Sequence, residues 1–302
     1  MESLNGEILC RLCPRNCGID RNLKNGFCGA GNKIKIARYG LHMWEEPCIS
    51  GEKGSGTVFF SGCPLKCVFC QNYEISCKNK GKYITEDDLE RIFLYLQENG
   101  ACNINLVSPT HYSDKIVKVL DRIKHKLYIP VVYNTGGYEK SEEIEKLKGY
   151  IDVFLPDLKY VSSELSGKYS GAKDYFEYAS KAVIKMFDIA GYPKFENGRI
   201  ISGVIVRHLV LPSHVEDSFK VVDFLSENLD CEKLYLSIMR QYFPSFNACK
   251  YKEISRKLTS LEYKKVVDYA ISKGIKNGFM QDKNTSEEEY VPDFSGEELI
   301  LP

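Results

Sequence analysis

Apolar and polar positions along the chain alternate between two periods. Short runs at Thr57–Ser61, Asn103–Val107, Pro130–Asn134, Ile151–Leu155, Gly203–Leu211, Leu234–Ile238 and Ile275–Met280 are mostly rich in Val, Ile, Leu, Phe or Tyr. They are too short for helices and predict strands. Amphipathic helices with readable starts lie between them. Thr85 with Asp88 reads as a cap before Leu89, Ile92, Phe93 and Leu96, with Gly100 as terminator. Ser213 with Glu216 repeats the pattern before Val215, Phe219, Val222 and Leu225. Thr259 with Glu262 does so again before Val266, Val267, Ala270 and Ile271, and Gly274 ends that run. Repeated strand–helix units predict parallel strands joined by right-handed crossovers. Six or seven units predict an α/β fold built as a partial (β/α) barrel, with its chemistry on loops at the C-terminal strand ends. The first 50 residues, rich in Cys, Gly, Asn and basic residues, read as a separate appendage before a barrel over residues 51–302.

Composition narrows the function classes. Lys plus Arg number 41 and Asp plus Glu number 41, so overall charge gives no case for nucleic acid or an anionic membrane. No apolar run is long enough to span a bilayer. The acidic, polar start is no secretory signal, and Glu297–Pro302 carries no lipidation motif. These features predict a cytoplasmic location. Twelve cysteines are many for such a protein, and nine lie within the first 77 residues. Clustered thiols in a large cytoplasmic chain favour metal or cluster ligation over a disulfide scaffold.

Directly after the first barrel strand the chain reads Gly-Cys63-Pro-Leu-Lys-Cys67-Val-Phe69-Cys70-Gln-Asn. This spacing lets a loop turn three thiolates toward one cubic cluster. A [4Fe–4S] cube has four iron corners, so three protein ligands leave one iron open to chelate an amino acid. A structural zinc site wants four protein ligands instead.

The motif and its position resemble those of the radical S-adenosylmethionine (SAM) superfamily. The resemblance is strongest to the branch around pyruvate formate-lyase-activating enzyme and its uncharacterised relatives. Leu41-His-Met-Trp-Glu-Glu-Pro, Gly54-Ser-Gly-Thr-Val-Phe-Phe, Cys70-Gln-Asn-Tyr-Glu-Ile-Ser, Met239-Arg-Gln-Tyr, Gly278-Phe-Met-Gln281 and Tyr290-Val-Pro-Asp-Phe are similar to that subgroup. The resemblance implies that Cys63, Cys67 and Cys70 ligate a [4Fe–4S] cluster, that SAM takes the open iron, and that Phe69 lies against adenine. It further implies reductive cleavage of SAM to a 5′-deoxyadenosyl radical that abstracts hydrogen from a substrate.

The other strand ends supply further candidates. By the same resemblance Asp157 and Lys159, in Pro156-Asp157-Leu158-Lys159, contact the ribose or methionine part of SAM; an ammonium pairs naturally with a carboxylate. Arg207 and His208 interrupt an apolar strand and must face opposite sides. Arg is almost never buried alone, so Arg207 is expected in the lumen with an acidic partner, the SAM carboxylate being one candidate, and His208 is expected to be structural. The activating enzymes resemble one another in a Gly-Gly-Glu after the second strand, which binds the SAM amino group. This chain has Ser108-Pro-Thr110-His111 there, so the carboxylate is missing and Ser108 and Thr110 offer oxygens instead. Asn134-Thr135-Gly136-Gly137 follows the next strand, where glycines admit close backbone approach. Met239–Tyr242, Gln281 and Asp282 read as substrate-side residues on the rim.

Cys10-Arg-Leu-Cys13-Pro-Arg-Asn-Cys17, followed by Cys28, matches a four-thiolate metal site in a segment too small for its own core. Zinc and an auxiliary iron–sulfur cluster both take four thiolates, and spacing does not choose between them. The partners expected are an electron donor such as flavodoxin or ferredoxin and a protein or peptide substrate. A small-molecule substrate and a non-catalytic iron–sulfur or zinc protein are the alternative readings.

Overall fold

The computed structural model describes residues 3–4, 7–281, 294 and 300–302. Asp282 and Tyr290–Asp293 lie outside the described residues. The chain opens with a small antiparallel hairpin, β1 (Ser3–Leu4) and β2 (Glu7–Ile8). Next come β3 (Ile34–His42), α1 (Pro47–Ser50), β4 (Ser55–Phe60), α2 (Tyr73–Ser76), β5 (Lys82–Ile84), α3 (Glu86–Glu98) and β6 (Ile104–Val107). They lead into α4 (Ser113–Ile123), β7 (Val131–Thr135), α5 (Ser141–Glu145), β8 (Val153–Pro156), α6 (Ser163–Ser170) and α7 (Tyr175–Ala190). The chain continues through β9 (Lys194–Glu196), β10 (Arg199–Leu209), α8 (Val215–Asn228), β11 (Tyr235–Met239), α9 (Ser260–Ser272) and β12 (Asn277–Met280).

One ten-stranded sheet runs β12-β11-β10-β8-β7-β6-β4-β3-β5, with β9 paired to β10. Strands β4, β6, β7, β8, β10, β11 and β12 are all parallel, which bears out the partial barrel: no bond joins β12 to β4 among the described residues. β4 is buried at every residue, as expected of a parallel strand covered on both faces. The helices present Leu89, Ile92 and Phe93 from α3, Ile116 and Leu120 from α4, and Ala182 and Met186 from α7 to the same core. Among the described residues no helix is long and apolar enough to cross a membrane.

Two of the three expected helix starts form as read. Thr85 and Thr259 each accept from the backbone N–H three residues on, and Asp88 and Glu262 reach back to close the box. Ser213 differs. It sits at φ +66°, its N–H donates to Glu262 Oε1 at 2.8 Å, and α8 starts from His214 without a side-chain cap. The α9 capping residue has taken the donor that a Ser213 cap would leave free.

The segment expected as an appendage contributes to the sheet. β3 is antiparallel to β4, with His42 opposite Ser55, and so delivers the chain to the N-terminal end of the barrel strands. There α1 buries Cys48, Ile49 and Ser50, and Asn103 Nδ2 donates to the Ile49 carbonyl at 2.7 Å. Residues 43–50 thus floor the barrel. At the far end of the chain, Tyr39 donates to the Ile300 carbonyl at 2.5 Å and Phe294 meets Phe59 edge-on at 5.4 Å.

Candidate active site

β4 leads into the three-cysteine loop through Gly62, at φ +94°. A Cβ there would stand 2.5 Å from the Cys28 carbonyl oxygen, so only glycine lets the loop lie this close to the appendage. Cys63 N–H then donates to that same carbonyl at 3.0 Å. Further along, Lys66 N–H donates to the Ser170 carbonyl (3.3 Å) and Val68 N–H to the Tyr169 carbonyl (2.8 Å), which ties the loop to the end of α6. Cys63, Cys67 and Cys70 all line one cavity of about 230 Å³. Hydroxyls accompany two of the sulfurs: Ser170 Oγ lies 3.0 Å from Cys67 Sγ, and Ser76 Oγ lies 3.2 Å from Cys70 Sγ.

Burial raises the pKa of all three thiols. Cys70 is pushed up to about 12, first by desolvation and then by Cys67; Cys63 moves the same way, with Cys67 and Cys70 adding repulsion. Cys67 is also raised by burial, although Lys159 and Ser170 pull against it. These groups ionise readily only if positive charge arrives among them, which is what a metal centre supplies. Among the described residues, no three Cys, His, Asp or Glu side chains converge tightly enough to clasp a single ion. The ligands of a cubic cluster bind separate corners and stand further apart, so the donor set fits a cluster at this loop.

Most candidates from the other strand ends reach the same cavity. Phe69 lines it, its ring held against Tyr242 at 5.8 Å. Ser108 lines it in a left-handed conformation (φ +57°), which is uncommon for a residue with a side chain. Asn134, Gly136, Asp157, Lys159, Arg207, Met239 and Gln241 complete that wall. Lys159 is ion-paired with Asp157. Burial disfavours its charge, but Asp157 and Cys67 together raise its pKa. Gly137 packs so tightly on the Asp157 carbonyl that a Cβ would stand 2.1 Å from it.

Thr110 is corrected. It does not line the cavity; a 3-10 turn at Thr110–Tyr112 rotates it into the core, where it donates to Glu139 Oε1 at 2.6 Å. Burial raises the pKa of Glu139 to about 7, against the donors Thr110, Thr135 and Tyr133. His208 is structural as expected: Nδ1 meets the Leu158 carbonyl at 2.7 Å and Nε2 meets Ser218 Oγ at 2.8 Å. Arg240 turns away to Ser260 Oγ (2.9 Å), and Gln281 Oε1 accepts the backbone N–H of Arg240 and Gln241.

The family model of the radical SAM superfamily matches residues 57–225, more than half of the chain. This chain belongs to the radical SAM superfamily. Membership implies a [4Fe–4S] cluster and SAM as cofactors. An uncharacterized protein of Methanocaldococcus jannaschii is 32% identical over 274 residues, covering 86% of this chain and 74% of that protein. Among solved structures, Streptococcus suis SuiB has a TM-score of 0.52 at 20% identity, covering 74% of this chain and 48% of SuiB. SuiB bound to S-adenosylmethionine gives 0.51 at 19% identity, covering 74% and 49%. The hydrogenase maturase HydG of Carboxydothermus hydrogenoformans gives 0.50 at 15% identity, covering 76% and 54%. This chain spans about half the length of those structures, and likeness at such identity establishes the fold alone.

This radical SAM barrel carries an acidic floor that sequence reasoning missed. Glu45, from the segment before α1, reaches into the lumen. Its Oε1 accepts from Asn105 Nδ2 (3.1 Å) and Asn134 Nδ2 (3.2 Å), and its Oε2 accepts from an Arg207 terminal N–H (3.1 Å). Arg207 Nε lies 3.6 Å from both Glu46 Oε1 and Asp157 Oδ1. Arg207 therefore faces the lumen with acidic partners as expected, and these are the protein's own carboxylates. Burial works against its charge, yet Glu46, Glu45 and Asp157 hold its pKa above the ordinary value. His42 and Trp44 line the cavity from the same segment.

In the appendage, Cys10, Cys13, Cys17 and Cys28 lie near enough to act on one another electrostatically. A Cβ on Gly26 would lie 3.5 Å from Cys28 Sγ and 3.6 Å from Cys17 Sγ. Cys13 is pushed up to about 12 by burial, with Cys28 and Cys10 adding repulsion. Between two of these cysteines, Arg15 bonds outward to the carbonyls of Pro64 (2.8 Å) and Gly171 (2.6 Å). The appendage thus grips both the three-cysteine loop and the end of α6.

Proposed function

We propose that Cys63, Cys67 and Cys70 hold the [4Fe–4S] cluster of this radical SAM enzyme and that the adjoining cavity holds SAM. The observation that carries this is convergence. Three cysteines from the loop after β4 share one cavity with Phe69, Ser108, Asp157, Lys159 and Arg207, which come from four different strand ends. Reductive cleavage of SAM at such a centre supplies a 5′-deoxyadenosyl radical for hydrogen abstraction.

The chain's own residues bind and orient. Lys159 is poised to exchange part of its pairing with Asp157 for the methionine carboxylate, and Asp157 then faces the ribose hydroxyls or the ammonium. Phe69 offers an aromatic edge to adenine, and Ser108 offers its oxygen. Arg207 is hydrogen-bonded to Glu45 and ion-paired with Glu46 and Asp157, its buried Nε having no hydrogen-bond partner, and it acts from beneath as the positioning group for Asp157. We further propose a protein or peptide as substrate, with flavodoxin or ferredoxin as electron donor. Trp44, which lines the cavity, is 58% exposed and offers apolar surface to a polypeptide, and a SuiB structure holds its precursor peptide. We also assign a four-thiolate metal site, zinc or iron–sulfur, to Cys10, Cys13, Cys17 and Cys28; since no three of these thiols converge on a single ion here, zinc would require them to draw together. The Cys-rich unit and the barrel, read as residues 1–50 and 51–302, remain our division of the chain, with β3 shared into the barrel sheet.

Dithionite-reduced, reconstituted protein should slowly convert SAM to methionine and 5′-deoxyadenosine. Lys159→Ala should weaken SAM binding roughly ten- to over a hundredfold, the loss of one charge-assisted contact, while iron content stays constant. Wild-type protein with a full, reducible cluster that forms no 5′-deoxyadenosine would overturn the enzyme assignment. Unchanged SAM affinity in Lys159→Ala would remove that residue from the site.

A further inference from the structure

The contacts behind the three-cysteine loop suggest how the cluster's potential is set. Ser170 is the last residue of α6 and fully buried. Its Oγ lies 3.0 Å from Cys67 Sγ and 3.0 Å from the hydroxyl of Tyr160, which is 1% exposed. In a free thiol either partner could donate. As a cluster ligand, the sulfur is a thiolate with no proton, so Ser170 must donate to it. The single proton of Ser170 is then committed, and Tyr160 must donate to Ser170. The direction of the chain is thereby fixed as Tyr160 to Ser170 to Cys67.

The hydroxyl is not free to wander. Gly171, in the left-handed region at φ +63°, ends α6 and returns its N–H to the Gly167 carbonyl at 3.2 Å. The Ser170 carbonyl accepts from Lys66 of the loop at 3.3 Å and from Arg15 of the appendage at 3.4 Å. Loop, helix end and appendage therefore hold donor and acceptor in register.

We propose that Tyr160 and Ser170 form a hydroxyl relay that donates into the Cys67 sulfur and raises the reduction potential of the cluster held there. This rests on the reading that Cys67 is a cluster ligand. The physical reason is charge. The reduced cluster carries one more negative charge than the oxidised one, so a donor aimed at a ligand sulfur stabilises the reduced form more. Tyr160 polarises Ser170 and strengthens that donor. Both residues are positioning groups, since neither enters the SAM cavity.

The test is a mediated redox titration of the anaerobically reconstituted full chain, followed by the EPR amplitude of the reduced cluster. Ser170→Ala should lower the equilibrium constant for one-electron reduction by roughly three- to tenfold, tenfold being 59 mV. Tyr160→Phe, which removes only a hydroxyl, should shift it the same way by less. Ser166→Ala is the control: Ser166 is buried on the same helix and bonds the Ser163 carbonyl at 3.3 Å. It should leave the potential unchanged. A cluster in Ser170→Ala and Tyr160→Phe that still responds to SAM and keeps the wild-type potential overturns the relay and leaves the cluster assignment standing. Equal shifts in Ser166→Ala and Ser170→Ala would also overturn it, since general loosening of α6 would explain them. Failure of wild-type protein to hold any cluster would overturn both readings.

Discussion

Replacing Cys63, Cys67 and Cys70 together by alanine is expected to abolish 5′-deoxyadenosine formation and every SAM-responsive iron signal. The reason is stoichiometric: three thiolates are the whole protein share of a cluster that must keep one iron open. Metal analysis gives the complementary result. The variant should retain the metal bound by Cys10, Cys13, Cys17 and Cys28, because none of those thiols lines the SAM cavity. Zinc there would make the site structural, and residual iron would make it an auxiliary cluster. A folded variant without residual metal would remove the appendage site from the account, and a surviving SAM-responsive signal would remove the three-cysteine assignment.

Arg207→Met should cost the fold about 3–5 kcal/mol, read as the urea midpoint of the anaerobic protein, because it strands buried carboxylates without a counter-ion. Glu45 is only 9% exposed in its side chain, and Glu46 and Asp157 share the same guanidinium. The deficit should shrink as pH falls. Burial already holds the Glu45 carboxyl above its ordinary range, ahead of the opposing pull of Arg207. A carboxyl raised on folding binds more protons in the folded state, so its contribution to stability falls as pH rises through that window. Without Arg207 the window widens and the slope steepens. Adding Glu45→Gln to Arg207→Met should recover part of the loss, since a neutral amide needs no counter-ion. An Arg207→Met protein as stable as wild type at neutral pH would show that the floor is hydrated.

Much of this was legible in the sequence, for physical reasons that differ by residue. The parallel strands announced themselves because buried strands need continuous apolar runs. Arg207 was legible because a charge inside such a run can only face the lumen. Thr110 was misread because polarity at a strand end does not say which way the next turn rotates. Glu45 and Glu46 were passed over because acidic residues before a proline look like a solvated helix start. Only tertiary placement at the barrel's foot puts them under Arg207. β3 was absorbed into the appendage because it is antiparallel and stands outside the strand–helix repeat, although Ile34 and Ile36 flank Lys35 with the alternation of a strand. Ser170 had no readable signal: it is one of three serines in α6, and its role depends on a cysteine 103 residues earlier.

The most direct test of the central claim is low-temperature EPR of the reduced, reconstituted protein before and after adding SAM. The account predicts a reduced [4Fe–4S] signal that changes on SAM addition and is absent when Cys63, Cys67 and Cys70 are replaced. A reducible cluster whose signal is indifferent to saturating SAM would contradict it.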